Sequence, residues 1–212
     1  LDSGVFIRSI ATRSSGAGLS ATTRTASKLL DASGKDIVII ETVGVGQSEL
    51  EIMEIADTVV VVLIPEAGDA IQALKAGLAE VADIFVVNKA DREGAGLMLT
   101  NLEASFNLSE TPNWWRPPVI LTKANIGEGI DQLCKAIGDH RQILSETNRL
   151  QEKRKLRRKQ DLSKSLNENF RLWIHDLAKT DNEYAAIIKK VEDGKLEPYT
   201  AAKQILQRWT ND

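Results

Sequence analysis

Asn88, Lys89 and Asp91 stand in the run "FVVNKADR", directly behind an apolar segment. The order N-K-x-D offers a particular chemistry. A carboxylate at Asp91 can accept two hydrogen bonds from guanine, one from the ring N–H and one from the exocyclic amine. Adenine presents a lone pair where guanine has its ring N–H, and is refused. Asn88 can bond another edge of a bound base or tie neighbouring loops together, and Lys89 can lay its methylene stem along the base plane. The same three residues also make an ordinary polar strand-to-helix turn, because Asn and Asp favour turns.

A second group lies in "DIVIIETVGVGQSELE". If that apolar run borders a phosphate site, Glu41 is placed to hold a magnesium-bound water. Gly44 then offers a main-chain N–H that no side chain shields, and Gln47 stands near an attacking water. A simpler account is a strand end and a glycine turn, with Ser48 capping a helix and Glu51 completing a capping box. The two accounts do not compete. "VILTKANIGEGI" places Thr122, Lys123, Ala124 and Asn125 at another strand end, where a loop can back a base with main-chain N–H groups. "PEAGDAIQALKAG" gives Asp69, Gln72 and Lys75 at one-turn spacing, a polar set that also suits a bare helix start.

Some chemistry is missing. The 212 residues contain no G-x-x-x-x-G-K-[ST] phosphate loop. "SGKD" lacks the upstream glycine and the hydroxyl, and "SGAGLS" has Leu19 where the lysine belongs. Cys134 is the single cysteine, which excludes an internal disulfide framework and suits a reducing compartment. Cys134, His140 and His175 are too scattered for a nickel-delivery site. No D-x-H-x-x-G cobalamin motif occurs. A net charge of −3 gives no case for general nucleic-acid or membrane binding, and no apolar run reaches spanning length.

The elements that must position these residues alternate. Strands are expected at 5–8, 37–41, 58–64, 84–87 and 119–122, with helices at 19–32, 48–55, 69–82, 94–106 and 127–137. Runs such as "TVVVVLI" are apolar on both faces, as in parallel sheets covered by helices on both sides. Glu41, Asn88 and Thr122 fall at the carboxyl ends of strands, where such sheets bind ligands. Beyond about residue 140 only helices are expected: one long charged helix with an apolar stripe from Leu150 to Trp173, then helices at 182–193 and 200–209. The cluster Lys153-Arg154-Lys155 with Arg157-Arg158-Lys159 reads as a solvated face of that helix.

The segments "GVFIRSIATR", "DIVIIETVGVGQSE", "AGDAIQALKAG", "ADIFVVNKADR", "GEGI" and "GKLEPYTAAKQIL" together resemble the MeaB/ArgK/MMAA family. These are methylmalonyl-CoA mutase-associated GTPases of the metallochaperone group of P-loop GTPases. The resemblance runs in order through the whole chain. It implies an α/β fold, a P-loop NTPase-type mostly parallel sheet flanked by helices, with an all-helical C-terminal extension. It further implies that residues 1–140 are a partial GTPase domain and 141–212 a helical dimerisation arm. The implied ligands are GTP or GDP and Mg2+. The implied activity is GTP hydrolysis that helps load and protect cobalamin in methylmalonyl-CoA mutase or a related acyl-CoA mutase.

By the same resemblance, Glu41 matches the magnesium-site carboxylate, held through water, and Gly44 to Gln47 match a second switch. Asn88, Lys89 and Asp91 match the guanine readers, with Lys123, Ala124 and Asn125 in the base-backing loop. The family usually carries Ser-Ala where this chain has Lys123-Ala124. Asp69, Gln72 and Lys75 match a third switch that reports nucleotide state to the mutase. The phosphate loop is expected upstream of Leu1, so the chain reads as a truncated member that does not hydrolyse GTP by itself. A homodimer is expected in the bacterial cytoplasm or, in a eukaryote, the mitochondrial matrix, with no nucleic-acid or membrane partner. A nucleotide-free dimerising interaction module is the alternative of a different class.

Overall fold

The computed structural model describes residues 4–10, 21–42, 54–65, 82–108 and 114–210. Three strands form one parallel sheet in the order β1-β2-β3: β1 is Val60–Leu63, β2 is Ile84–Asn88 and β3 is Val119–Thr122. Val60 pairs with Ile84 and Leu63 with Val87, while Phe85 pairs with Val119 and Asn88 with Thr122. β2 is central, and its "IFVV" is buried throughout. This is the continuous apolar pattern of a strand covered on both faces.

Six helices are described: α1 (Ala21–Ala32), α2 (Ala95–Leu108), α3 (Ile130–Glu146), α4 (Arg149–Thr180), α5 (Asn182–Glu192) and α6 (Pro198–Thr210). Phe85 and Val87, two apart on one face of β2, pack with Ala95, Met98, Leu102 and Phe106 of α2. A strand period of two thereby meets a helix period near four, and the Phe85 and Phe106 rings lie 5.1 Å apart. α3 packs against β2 and β3 and buries His140 and Leu144.

The chain divides into two compact units, Leu1–Arg157 and Arg158–Asp212. In the second, the Asp181 carboxylate caps α5 by accepting from the N–H groups of Glu183 and Tyr184. α5 ends on Gly194 (φ 68°), with Lys195 N–H donating to Lys190 O and Gly194 N–H to Val191 O. That pair of bonds closes the carboxyl end of the helix, and glycine is the residue that reaches this φ without strain. Pro198 opens α6, where Glu197 accepts from the N–H groups of Tyr199 and Thr200.

Two strand expectations are corrected. Residues 5–8 and 37–41 form no strand, and Ile7, Ile37 and Ile39 are 84%, 74% and 87% exposed. A strand is held by its ladder, and neither segment has one among the described residues. The helices expected at 48–55 and 69–82 lie almost wholly outside the described residues. Those expected at 19–32, 94–106 and after residue 140 appear with shifted ends, and the helix expected at 127–137 runs instead from Ile130 to Glu146.

Candidate functional site

The carboxyl ends of β2 and β3 bring the expected base readers together. Asn88 Oδ1 accepts from Thr122 Oγ1–H at 3.1 Å and from Ala124 N–H at 3.2 Å. Ala90 N–H donates to Thr122 O at 3.0 Å. Asn88 therefore spends its carbonyl on tying the two strand ends, which leaves its amide nitrogen as the group it presents to a ligand. Thr122 is 2% exposed, so its own bond to Asn88 is partly shielded from water, while the bond from Ala124 N–H lies at the surface.

Lys89 sits at φ 56°, a left-handed conformation that is uncommon for a side-chain-bearing residue. Its carbonyl accepts from Arg92 N–H at 3.0 Å, so the chain turns sharply at the strand end. Lys89 and Asp91 are both exposed beyond that turn. An exposed carboxylate and an exposed alkyl stem beside a fixed amide form a donor and acceptor set that fits guanine.

The loop after β3 is built as a ring. Lys123 N–H donates to Glu128 O at 2.9 Å in an isolated antiparallel bridge, and Lys123 Nζ meets Glu128 Oε2 at 2.8 Å. Between them, Ala124–Ile126 make a single tight helical turn. The hydrogen bond and charge of Glu128 hold the Lys123 ammonium above its ordinary range, and the charge of Asp91 acts in the same direction. Gly127 (φ 78°) and Gly129 (φ 83°) complete the turn. A Cβ on Gly129 would lie 2.2 Å from Leu121 O, so the start of α3 presses directly on the end of β3.

Other expected site residues are not assembled here. Glu41 is exposed and follows residues that form no strand. Gly44, Gln47, Asp69, Gln72 and Lys75 lie outside the described residues. Among the described residues no group of three or more His, Cys, Asp and Glu side chains could hold a metal ion. One carboxylate such as Glu41 suits magnesium only in the way that ion is usually held at nucleotides, chiefly by phosphate oxygens and water.

A second polar cluster, at the amino ends of the strands, was not foreseen. Asp57 accepts from Arg154 Nη2 at 2.5 Å and from Arg157 Nη2 at 3.2 Å, while Lys153 Nζ donates to Asp57 O at 2.9 Å. Burial pushes the Asp57 carboxyl up, but the hydrogen bonds and charges of Arg154 and Arg157 prevail and hold it below its ordinary value. Asp83 Oδ2 accepts from Val59 N–H at 2.8 Å, and Asp83 O accepts from Trp115 Nε1–H at 2.7 Å. His140, fully buried, places Nδ1 2.9 Å from Thr58 Oγ1. Its Nε2 lies 3.4 Å from Asp83 Oδ1 and makes no hydrogen bond among the described residues. The solvated basic face expected on α4 is thus corrected: positions 153, 154 and 157 share a side of the helix and turn onto Asp57 and Asp83. The only sequence signal was that spacing, set against two acids far upstream in the chain.

Among the described residues no helix is long and apolar enough to cross a membrane. In comparisons with known proteins, a relative from Pyrococcus abyssi that carries a provisional GTPase name is 44% identical over 210 residues. The match covers 97% of this chain and 64% of that protein, so the chain spans just under two thirds of the relative's length. GTPase ArgK of Escherichia coli is 32% identical over 208 residues, covering 94% of this chain and 62% of its own. The mitochondrial methylmalonic aciduria type A homolog of Mus musculus is 30% identical over 210 residues, covering 97% and 51%. Among solved structures, a crystal structure of LAO/AO transport system kinase superposes with a TM-score of 0.64 at 30% identity, over 88% of this chain and 61% of that one. The family model described as methylmalonyl Co-A mutase-associated GTPase MeaB matches residues 1–177. That match, over most of the chain, places it in the MeaB family of GTPases.

Proposed function

We propose that the protein binds GTP and GDP with Mg2+, hydrolyses GTP, and assists the loading and protection of cobalamin in methylmalonyl-CoA mutase or a related acyl-CoA mutase. The observation that carries the nucleotide part is Asn88: its carbonyl binds the β2 and β3 ends together, and Lys89 and Asp91 project beyond them. Asp91 reads the guanine ring N–H and amine, Asn88 offers its amide, and the 123–125 loop backs the base. Glu41 holds the magnesium through water, with Gly44 and Gln47 at the γ-phosphate. Mutase as partner follows the family description, and Asp69, Gln72 and Lys75 form the region that reports nucleotide state to it. Residues 1–140 belong to the nucleotide-binding part and 141–212 to a dimerisation arm. The exposed stripe of Leu156, Leu162, Leu166, Phe170 and Trp173 supports that assignment. The setting is the cytoplasm of a bacterium or the mitochondrial matrix of a eukaryote.

Asp91→Asn tests the reading in the full-length protein. The substitution removes a charge-assisted pair of hydrogen bonds, so guanine nucleotide binding should weaken by about 1.5–3 kcal/mol. Xanthine nucleotides, which keep the ring N–H but carry a carbonyl where guanine has its amine, should gain relative to guanine ones. Titrations that leave GTP affinity unchanged would remove Asp91 from the base site.

A further inference from the structure

We propose that the Lys123–Glu128 pair is a clasp that positions the base-backing loop, and that guanine selectivity at the O6 edge depends on it. The proposal rests on the nucleotide reading above and concerns how the base-backing loop is held, by the side chain of its first residue, Lys123, on Glu128. The two residues are joined twice: main chain to main chain at 2.9 Å, and ammonium to carboxylate at 2.8 Å. Between those pins the turn Ala124–Ile126 buries no residue of its own, and Ile126 is 68% exposed. The loop therefore has no apolar anchor. It is held by polar ties: Ala124 N–H on Asn88 Oδ1, Ile126 N–H on Lys123 O, and the clasp.

That arrangement has a functional consequence. A loop that backs a base with main-chain N–H groups contributes only if those groups are already in place, because a small misplacement forfeits the bond. Asn88 fixes the amino side of the ring and the close fit of Gly129 against Leu121 fixes its exit. The clasp closes the span between them. With it open, Ala124 and Asn125 sample a wider range, and the ligand must pay to order them. The atom that suffers is guanine O6, the acceptor that the Asn125 N–H would meet, since the Ala124 N–H is already held by Asn88 Oδ1. The ring N–H and amine, read by Asp91, are spared.

The test compares GDP with 6-thioguanosine diphosphate, which keeps the ring N–H and the amine but replaces O6 with sulfur, a weaker acceptor, in titrations of the full-length protein. In wild type GDP should bind more tightly. Lys123→Met and Glu128→Gln should each narrow that preference by about threefold, the scale of one exposed ion pair, and leave the melting temperature unchanged. The exchanged pair, Lys123→Glu with Glu128→Lys, should restore the preference. At about 1 M salt, where the Debye length is about 3 Å, wild type and Lys123→Met should converge. An undiminished preference in Lys123→Met, or an exchanged pair no better than the single variants, would overturn the clasp. Wild-type protein that binds neither nucleotide would instead overturn the guanine reading itself.

Discussion

Gly127 and Gly129 lie two residues apart at nearly the same φ, 78° and 83°, yet alanine should act on them very differently. A Cβ at φ near +80° costs about 1–2 kcal/mol by its own steric strain. At Gly127 that is the whole effect, since nothing lies within 4 Å of the added carbon. At Gly129 the carbon would sit 2.2 Å from Leu121 O and 3.1 Å from Thr122 Cα and Cγ2. Two of those atoms are main chain, so a side-chain rotation cannot clear the overlap. Either the end of β3 or the first turn of α3 must move by about an ångström, an overpacking cost of about 1–3 kcal/mol on top of the strain. Gly129→Ala should therefore lose about 2–5 kcal/mol and Gly127→Ala only about 1–2 kcal/mol. The group displaced first is Thr122, which donates to Asn88 Oδ1, so guanine nucleotide affinity should fall in Gly129→Ala and persist in Gly127→Ala. Urea denaturation and nucleotide titration of the two variants in the full-length protein measure both effects. Equal losses at the two glycines would refute the close approach of α3 to β3 on which the calculation stands.

The amino-end cluster gives two more expectations. Asp57→Asn leaves Arg154 and Arg157 without their charge partner, at a cost of about 1–2 kcal/mol. Because the folded carboxyl titrates below its ordinary value, this stabilisation is present above the unfolded pKa and disappears as pH falls through the folded one. Acid unfolding of the variant should begin from a lower plateau with a shallower slope, and superimposable curves would remove Asp57 from the cluster. His140 behaves differently: burial pushes its pKa down, Asp83 opposes this, and Lys153 adds to it. The folded protein therefore keeps the ring neutral, and stability present above about pH 6.5 declines as pH falls toward the folded value. The urea midpoint should drop between about pH 7.5 and 5.5 in wild type and drop less in His140→Gln. Parallel pH profiles would show that His140 does not titrate in that window.

The polar turn that ends β2 was legible in the sequence because its signal is local. Asn88, Lys89 and Asp91 are consecutive or nearly so, and the apolar "IFVV" before them reads as a covered strand, as it is. The alternation of strands and helices likewise placed β3 and α2, and the apolar stripe with its helix stops placed the three C-terminal helices. Residues 5–8 and 37–41 carry the same apolar signal and form no strand, because propensity supplies the side chains but not the partner that a ladder requires. The Lys123–Glu128 pair was invisible for a different reason: a Lys and a Glu five residues apart are common, and only the ring between them makes the pairing matter. The basic run of α4 was misread because Lys153, Arg154 and Arg157 are drawn to acids far away in the chain, which no local spacing announces.

The docking of α4 also orders events during synthesis. Strand pairing in the sheet joins residues 24 apart at Val60 and Ile84 and 34 apart at Phe85 and Val119. The bonds from α4 to Asp57 and Ala56 close loops of 96 to 101 residues. Short loops close at lower entropic cost and pair first. A ribosome that has just released β3 must add the 35 residues from Thr122 to Arg157 before the last arginine emerges, which takes roughly 2–7 s. Throughout that interval the sheet can already exist, with Asp83 accepting from Val59 N–H, while the Asp57 carboxylate still faces water. The nascent chain can therefore hold β2 and β3 paired while Asp57, at the opposite end, still lacks its arginine partners.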